Sequence, residues 1–160
     1  MIKRVLALLG VVCNFVPLSA DIGPPTDIAT RSRGAGRIVV ARVADVRARF
    51  AANGFGDQLI VSTVVLEVAE ALKGAPAGRV EVEVEGGTVG DLTLKVSDLP
   101  SLAIGERAVF FLDAGIGGTL RPHDRGRGIL KLSQDDRVES TPVTLADLRQ
   151  QVRDALRGGR

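Results

Sequence analysis

The chain between residues 37 and 133 is dominated by short segments in which apolar and polar positions alternate. A period of two places successive side chains on opposite faces of a β-strand. The predicted strands cover residues 37–50, 58–72, 79–85, 92–97, 107–113 and 129–133, with a further short strand in the TLRP motif of residues 119–122. Turn clusters such as the NGFGD motif separate them. This spacing predicts an all-β sandwich or barrel rather than alternating βαβ units.

The strand predicted over residues 107–113 differs from the others because it is apolar on both faces. Its run from Ala108 to Leu112 is uninterrupted, which is typical of a central strand covered on both sides. Phe110 and Phe111 are adjacent and therefore point to opposite faces. We expect one to fill the barrel and the other to lie under the C-terminal helix.

That helix is predicted over residues 144–157. Thr144 is a good N-cap residue, and Asp147 three positions later completes a pattern that resembles a capping box. The apolar residues recur at helical spacing and form one stripe. They are Leu145, Leu148, Val152 and Leu156.

The N-terminus has the layout of a secretory signal peptide. A short basic MIKR motif precedes an apolar run and a small-residue end at Ala20, which predicts residues 1–20 as the signal. Residues 21–36 show no period and are interpreted as a flexible leader, so the β-barrel domain spans residues 37–143. Export to the periplasm or the exterior is expected, with no membrane span after cleavage.

Loss of the signal also changes the charge of the chain. The precursor has 21 basic and 19 acidic residues, and removal of Lys3 and Arg4 leaves 19 of each. The only cysteine, Cys13, leaves as well. A neutral chain without Tyr or Trp offers neither the positive groove nor the stacking platforms of a nucleic-acid binder, so no nucleic-acid partner is expected.

The VEVEVE motif of residues 80–85 poses a choice between two interpretations. Glu81, Glu83 and Glu85 share one strand face, which is either solvated or, with help from Asp91 and Asp98, a divalent-cation site. Carboxylates two positions apart on a strand are about 7 Å apart and do not converge on one ion. We therefore expect a solvated face and no metal or cofactor. The EGGTVG segment that follows is interpreted as a turn.

Residues able to carry chemistry are few. His123, beside Asp124 in a predicted turn, is the only histidine and could act as a base toward Ser62 or Ser133. No nucleophile-elbow motif supports that role, so no catalytic residue is assigned. The candidate interaction surface consists of Phe55, Arg121, His123, Arg125 and Arg127.

Several motifs resemble those of a group of small exported bacterial proteins. These are LEVAEALKG at 66–74, EGGTVG at 85–90, VSDLPSLAIGERAVFFL at 96–112 and the later RGRGILKL. The pattern is also distantly similar to the netrin-like, tissue-inhibitor-of-metalloproteinases-like OB superfamily. The resemblance implies a mainly β fold, a small five- to six-stranded antiparallel, OB-like barrel with one C-terminal α-helix. The inhibitors of that superfamily chelate zinc through an N-terminal cysteine, which the mature chain lacks.

These observations favour an exported, non-enzymatic binding module, and we expect its partner to be another protein. One alternative is an envelope enzyme with a site around His123. The other is a module that resembles the protease inhibitors but lacks the zinc-chelating cysteine.

Overall fold

The computed structural model describes residues 27–52 and 56–158. The expected signal peptide, the first part of the leader and Phe55 lie outside these residues. The described part has two α-helices, α1 (Ile28–Gly34) and α2 (Leu145–Arg157). Its strands are β1 (Arg37–Ala52), β2 (Gln58–Lys73), β3 (Arg79–Glu85), β4 (Gly87–Val89), β5 (Leu92–Leu94), β6 (Arg107–Ala114), β7 (Leu120–Pro122) and β8 (Ile129–Leu132).

Five of the strands close into a ring, which we call the strand ring. Its order is β1-β2-β3-β7-β6, and β6 pairs back onto β1, while β8 extends the sheet beyond β6. The mainly β class with one C-terminal helix is thereby confirmed. The expectation that all strands are antiparallel is wrong at one place, because β3 and β7 pair in parallel through Val82 and Leu120.

The interior of the strand ring holds one apolar core. The inward side chains of β3 illustrate it, since Val80, Val82 and Val84 are buried while Glu81 and Glu85 are exposed. The other buried members of this core are Val39, Ala41, Val43, Val64, Leu66, Ala108, Phe110, Leu112 and Ile129. In β3 the period of two in the sequence therefore sets which face is buried.

A second apolar core lies between the outer face of the ring and α2. Phe111 is fully buried there with Leu145, Leu148 and Val152. Phe110 belongs to the core inside the ring. The expected burial of the two phenylalanines on opposite faces of β6 is confirmed. Thr144 caps α2 in a capping box with Asp147, also as expected.

The interpretation of residues 21–36 as a flexible leader is wrong for its described part. Asp27 caps α1 by accepting a hydrogen bond from the backbone of Ala29, and α1 packs against α2. At the other end of α1, the Lys73 ammonium donates to the carbonyls of Ser32 and Ala35. These partners are distant in sequence, so no local apolar period reveals the helix.

The segment expected as a strand over residues 92–97 is shorter and lies outside the ring. Only Leu92–Leu94 is a strand, and it pairs with Gly87–Val89, which the sequence had indicated as a turn. We call these two strands the β4–β5 hairpin. It contacts β1 and β2.

Candidate functional site

A concavity opens at the end of the strand ring beside the β4–β5 hairpin. We call it the mouth groove, and its volume is about 700 Å³. Strands β1–β3 form one wall, and the hairpin and the loop of residues 95–102 form the other. The lining residues are Val46, Ala48, Ser62, Val64, Val84, Glu85, Gly86, Gly87, Thr88, Thr93, Leu94, Lys95, Val96, Ser97, Leu99, Pro100, Ser101 and Leu102.

Two glycines attach the hairpin to the ring. The backbone N–H of Gly86 donates to the carbonyl of Ile60 at 2.8 Å, and the Ser62 hydroxyl donates to the carbonyl of Gly86 at 2.7 Å. Gly87 has a φ of 130°, and a Cβ there would overlap the Ser62 hydroxyl and lie 3.0 Å from the Cβ of Ala48. Only glycine therefore allows so close an approach of the hairpin to β1 and β2.

The groove is apolar in its depth and polar at its rim. Val64 and Val84 are buried at its base, and Leu99 and Leu102 are half-buried in the facing loop. The rim residues Lys95, Ser97 and Ser101 are exposed, as are Thr88 and Thr93, whose hydroxyls lie 2.9 Å apart. An apolar pocket with a few polar groups at its edge is the common form of a ligand site.

Arg125 fixes the loop that forms the outer wall. Its guanidinium donates to both carboxylate oxygens of Asp98 and, at 3.0 Å, to Glu85 at the end of β3. These hydrogen bonds raise the pKa of Arg125 above its ordinary value, and the bond to Asp98 has a larger effect than the bond to Glu85. The hydrogen bond from Arg125 lowers the pKa of Asp98 below its ordinary 3.8. Asp98 therefore stays ionised at neutral pH, and its bonds to Arg125 hold the loop beside β3.

His123 is paired with a carboxylate rather than with a serine. Its Nδ1 lies 2.8 Å from Oδ2 of Asp113, whose other oxygen accepts the backbone N–H of Gly36 at 3.1 Å. The Nε2 edge faces α1, since a Cβ on Gly34 would lie 2.7 Å from Nε2. The nitrogen that a general base would use is thus directed at backbone.

The two serines considered as nucleophiles are engaged elsewhere. Ser62 is buried and bonded to Gly86, and the Ser133 hydroxyl accepts the backbone N–H of Arg137 at 3.2 Å. Neither forms a hydrogen bond with His123 among the residues that the structure describes. Neither of these two serines therefore forms a triad with the Asp113–His123 pair.

The candidate interaction surface is only partly brought together. Arg121 and Arg125 line a smaller pocket of about 300 Å³, whereas His123 and Arg127 do not line it. The other charged groups around this pocket are Glu83, Glu85, Asp113 and Asp124. Four carboxylates around two guanidinium groups do not favour an anion.

The acidic stripe on β3 is a solvated face, as expected. Glu81 is exposed, Glu83 forms an ion pair with Arg49 at 2.7 Å, and Glu85 is bonded to Arg125. The described residues include no group of three or more His, Cys, Asp or Glu side chains placed to hold a metal ion.

The mouth groove was not predicted from the sequence. The available signals were the paired glycines at 86–87 and the small polar residues Ser97 and Ser101 in a loop containing Leu99 and Leu102. Paired glycines are typical of a place where one backbone segment packs closely against another. Small polar residues that alternate with leucines are typical of an apolar wall with a polar edge. Neither signal shows from the sequence alone that both segments face the same strands.

No family model matches the chain, and the search of curated proteins found no significant match. The resemblance to the netrin-like superfamily therefore stays a prediction. Within the described residues, no helix has the length and apolar character needed to cross a membrane.

Proposed function

We propose that the protein is an exported, non-enzymatic binding module whose binding site is the mouth groove. The observation that carries this proposal is the groove itself, an apolar cavity of about 700 Å³ at the mouth of a ring of strands. Ligand pockets typically measure about 300–1,000 Å³, and the mouths of β-barrels are among their usual places.

The groove contains no histidine or cysteine and only two ionisable side chains among its described lining residues. Its only ionisable lining residues are Glu85, which is held by Arg125, and Lys95 at the exposed rim. His123 and its partner Asp113 are not among the lining residues. Binding without catalysis is the function that this set of side chains supports.

The exported location is supported by the N-terminal pattern of residues 1–20. Mass spectrometry of the protein recovered from the envelope or the medium is expected to show Asp21 as its first residue. A full-length product confined to the cytoplasm would contradict export.

Titration calorimetry with decanol tests the groove with an uncharged aliphatic probe. We expect the mature chain to bind one decanol, and Ser101→Phe to lower the affinity about tenfold or more by filling the groove. Gln151→Phe places the same ring on an exposed position of α2 and serves as the matched control. No binding, or an equal loss of affinity in both variants, would contradict the groove as the site.

A protein partner is the second candidate, favoured by an exposed apolar residue beside the groove. Leu92 on the β4–β5 hairpin is 61% exposed and adjoins Thr93, which lines the groove. If a partner binds there, Leu92→Ser should abolish its capture by the mature chain, while Ile116→Ser, 95% exposed on another loop, should not. Equal capture by both variants would remove the hairpin from the binding surface.

A further inference from the structure

We infer that the mouth groove takes an aliphatic chain ending in an anionic head group, with the chain in the groove and the head beside Lys95. This inference rests on the proposed function and specifies its ligand class. Three features of the lining lead to it: the chemistry of the walls, the state of the polar atom at the base, and the charge at the rim.

The walls favour an aliphatic rather than an aromatic ligand. The apolar lining side chains are those of valine, leucine, alanine and proline, and none of the lining residues is aromatic. Stacking on a flat ring system is therefore not offered. A flexible chain instead fills an irregular aliphatic groove, and each buried methylene contributes to binding.

The base of the groove does not require a polar ligand atom. Ser62 is the polar side chain on the inner strand wall, and its hydroxyl already donates to the carbonyl of Gly86 at 2.7 Å. A ligand that reaches Val64 and Val84 therefore leaves no buried donor unsatisfied if it is apolar there.

Lys95 is the one lining cation of the groove among the described residues. Glu85 and Lys95 are the charged lining residues, and Glu85 is bonded to Arg125. Lys95 is exposed and forms no ion pair with the described residues. A carboxylate or phosphate beside Lys95 would gain an ammonium partner.

Two hydroxyls on the same loop also line the groove and are available to a head group. Ser97 and Ser101 are exposed, and their hydroxyls make no hydrogen bond to the residues that the structure describes. Both can donate to an anionic oxygen without breaking an existing bond. The loop that carries Lys95, Ser97 and Ser101 is joined to β3 by the Asp98–Arg125–Glu85 bonds, so the head-group site has a fixed base.

Calorimetric titration of the mature chain with decanoate, alongside decanol, tests the charge. Because the rim is exposed, the ionic contribution is modest, and we expect decanoate to bind about two- to fivefold more tightly than decanol at low salt. Lys95→Gln should remove that preference by lowering the affinity for decanoate more than the affinity for decanol. Arg42→Gln, which neutralises an exposed cation outside the groove, is the control and should change neither affinity.

The outcomes separate this inference from the proposed function. If decanol binds but decanoate shows no preference, or if the preference survives Lys95→Gln, the groove stands as a binding site and the anionic head group is wrong. If neither probe binds, both the ligand class and the proposed function fail.

Sedimentation with vesicles distinguishes two sources of the same chemistry. Co-sedimentation with phosphatidylglycerol vesicles that depends on Lys95 would support the inference and identify a membrane lipid. A chain that binds decanoate yet stays in solution with those vesicles would support it and identify a free acid. Equal binding to neutral phosphatidylcholine vesicles would overturn the anionic head group.

Discussion

Replacement of Phe111 by alanine should test how α2 is attached to the ring. Phe111 is fully buried between β6 and α2, in contact with the cluster that contains Leu145 and Leu148. Removal of a buried phenylalanine ring costs roughly 3–5 kcal/mol in the free energy of unfolding. That is a large share of the roughly 5–15 kcal/mol that stabilises a typical domain.

Urea denaturation followed by far-ultraviolet circular dichroism measures this loss. Phe50→Ala is the matched control, because Phe50 is 46% exposed and its truncation should cost less than about 1 kcal/mol. Equal losses for Phe111→Ala and Phe50→Ala would refute the burial of Phe111 beneath α2.

A double-mutant cycle makes the same test specific to the helix. Phe111→Ala and Leu148→Ala should be non-additive by about 0.5 kcal/mol or more, because the two side chains belong to one cluster. Phe110→Ala, on the opposite face of β6, belongs to the other core and should be additive with Leu148→Ala. The reverse pattern would mean that α2 covers the other face of the strand.

Three further outcomes are expected. Gly87→Ala should lower the free energy of unfolding by about 1–3 kcal/mol in chemical denaturation, because the new Cβ would overlap the Ser62 hydroxyl and alanine is strained at a φ of 130°. An unchanged free energy of unfolding would contradict the close packing of the hairpin on β2. Because the hydrogen bond from Arg125 lowers the pKa of Asp98, its stabilising contribution is present above the ordinary pKa of 3.8 and is lost as the pH falls through the folded-state pKa. The Tm difference between the native chain and Asp98→Asn should therefore disappear at low pH, and a constant difference would contradict the pairing. Glu81→Gln should change stability by less than about 0.5 kcal/mol, and added calcium should not raise the Tm by several degrees.

Much of the fold followed from local patterns in the sequence. The alternation in β2 and β3 predicted which side chains share the buried face of each strand, because side chains two positions apart lie on the same side. The two-sided apolar run of β6 predicted its central place between two cores. Thr144 and the apolar stripe of α2 predicted a helix and its beginning, since capping and helical spacing are local properties.

The parts of the structure that were not predicted depend on contacts between residues that are distant in sequence. Helix α1 is held by Lys73, about 40 positions away, and by packing on α2. The pairing of β4 with β5 outside the ring cannot be predicted from the alternation of apolar and polar residues, because strands inside and outside the ring show the same alternation. The mouth groove needs three strands and a loop to face one another, so no single segment indicates it.

The most direct test of the central claim is a backbone amide NMR titration of the mature chain with decanoate. If the mouth groove is the binding site, the largest shift changes should fall on the amides of residues 86–88 and 97–102, with α2 and His123 unaffected. Shift changes centred on His123 and Asp113 or on α2, or none at saturating decanoate, would contradict the groove as the binding site.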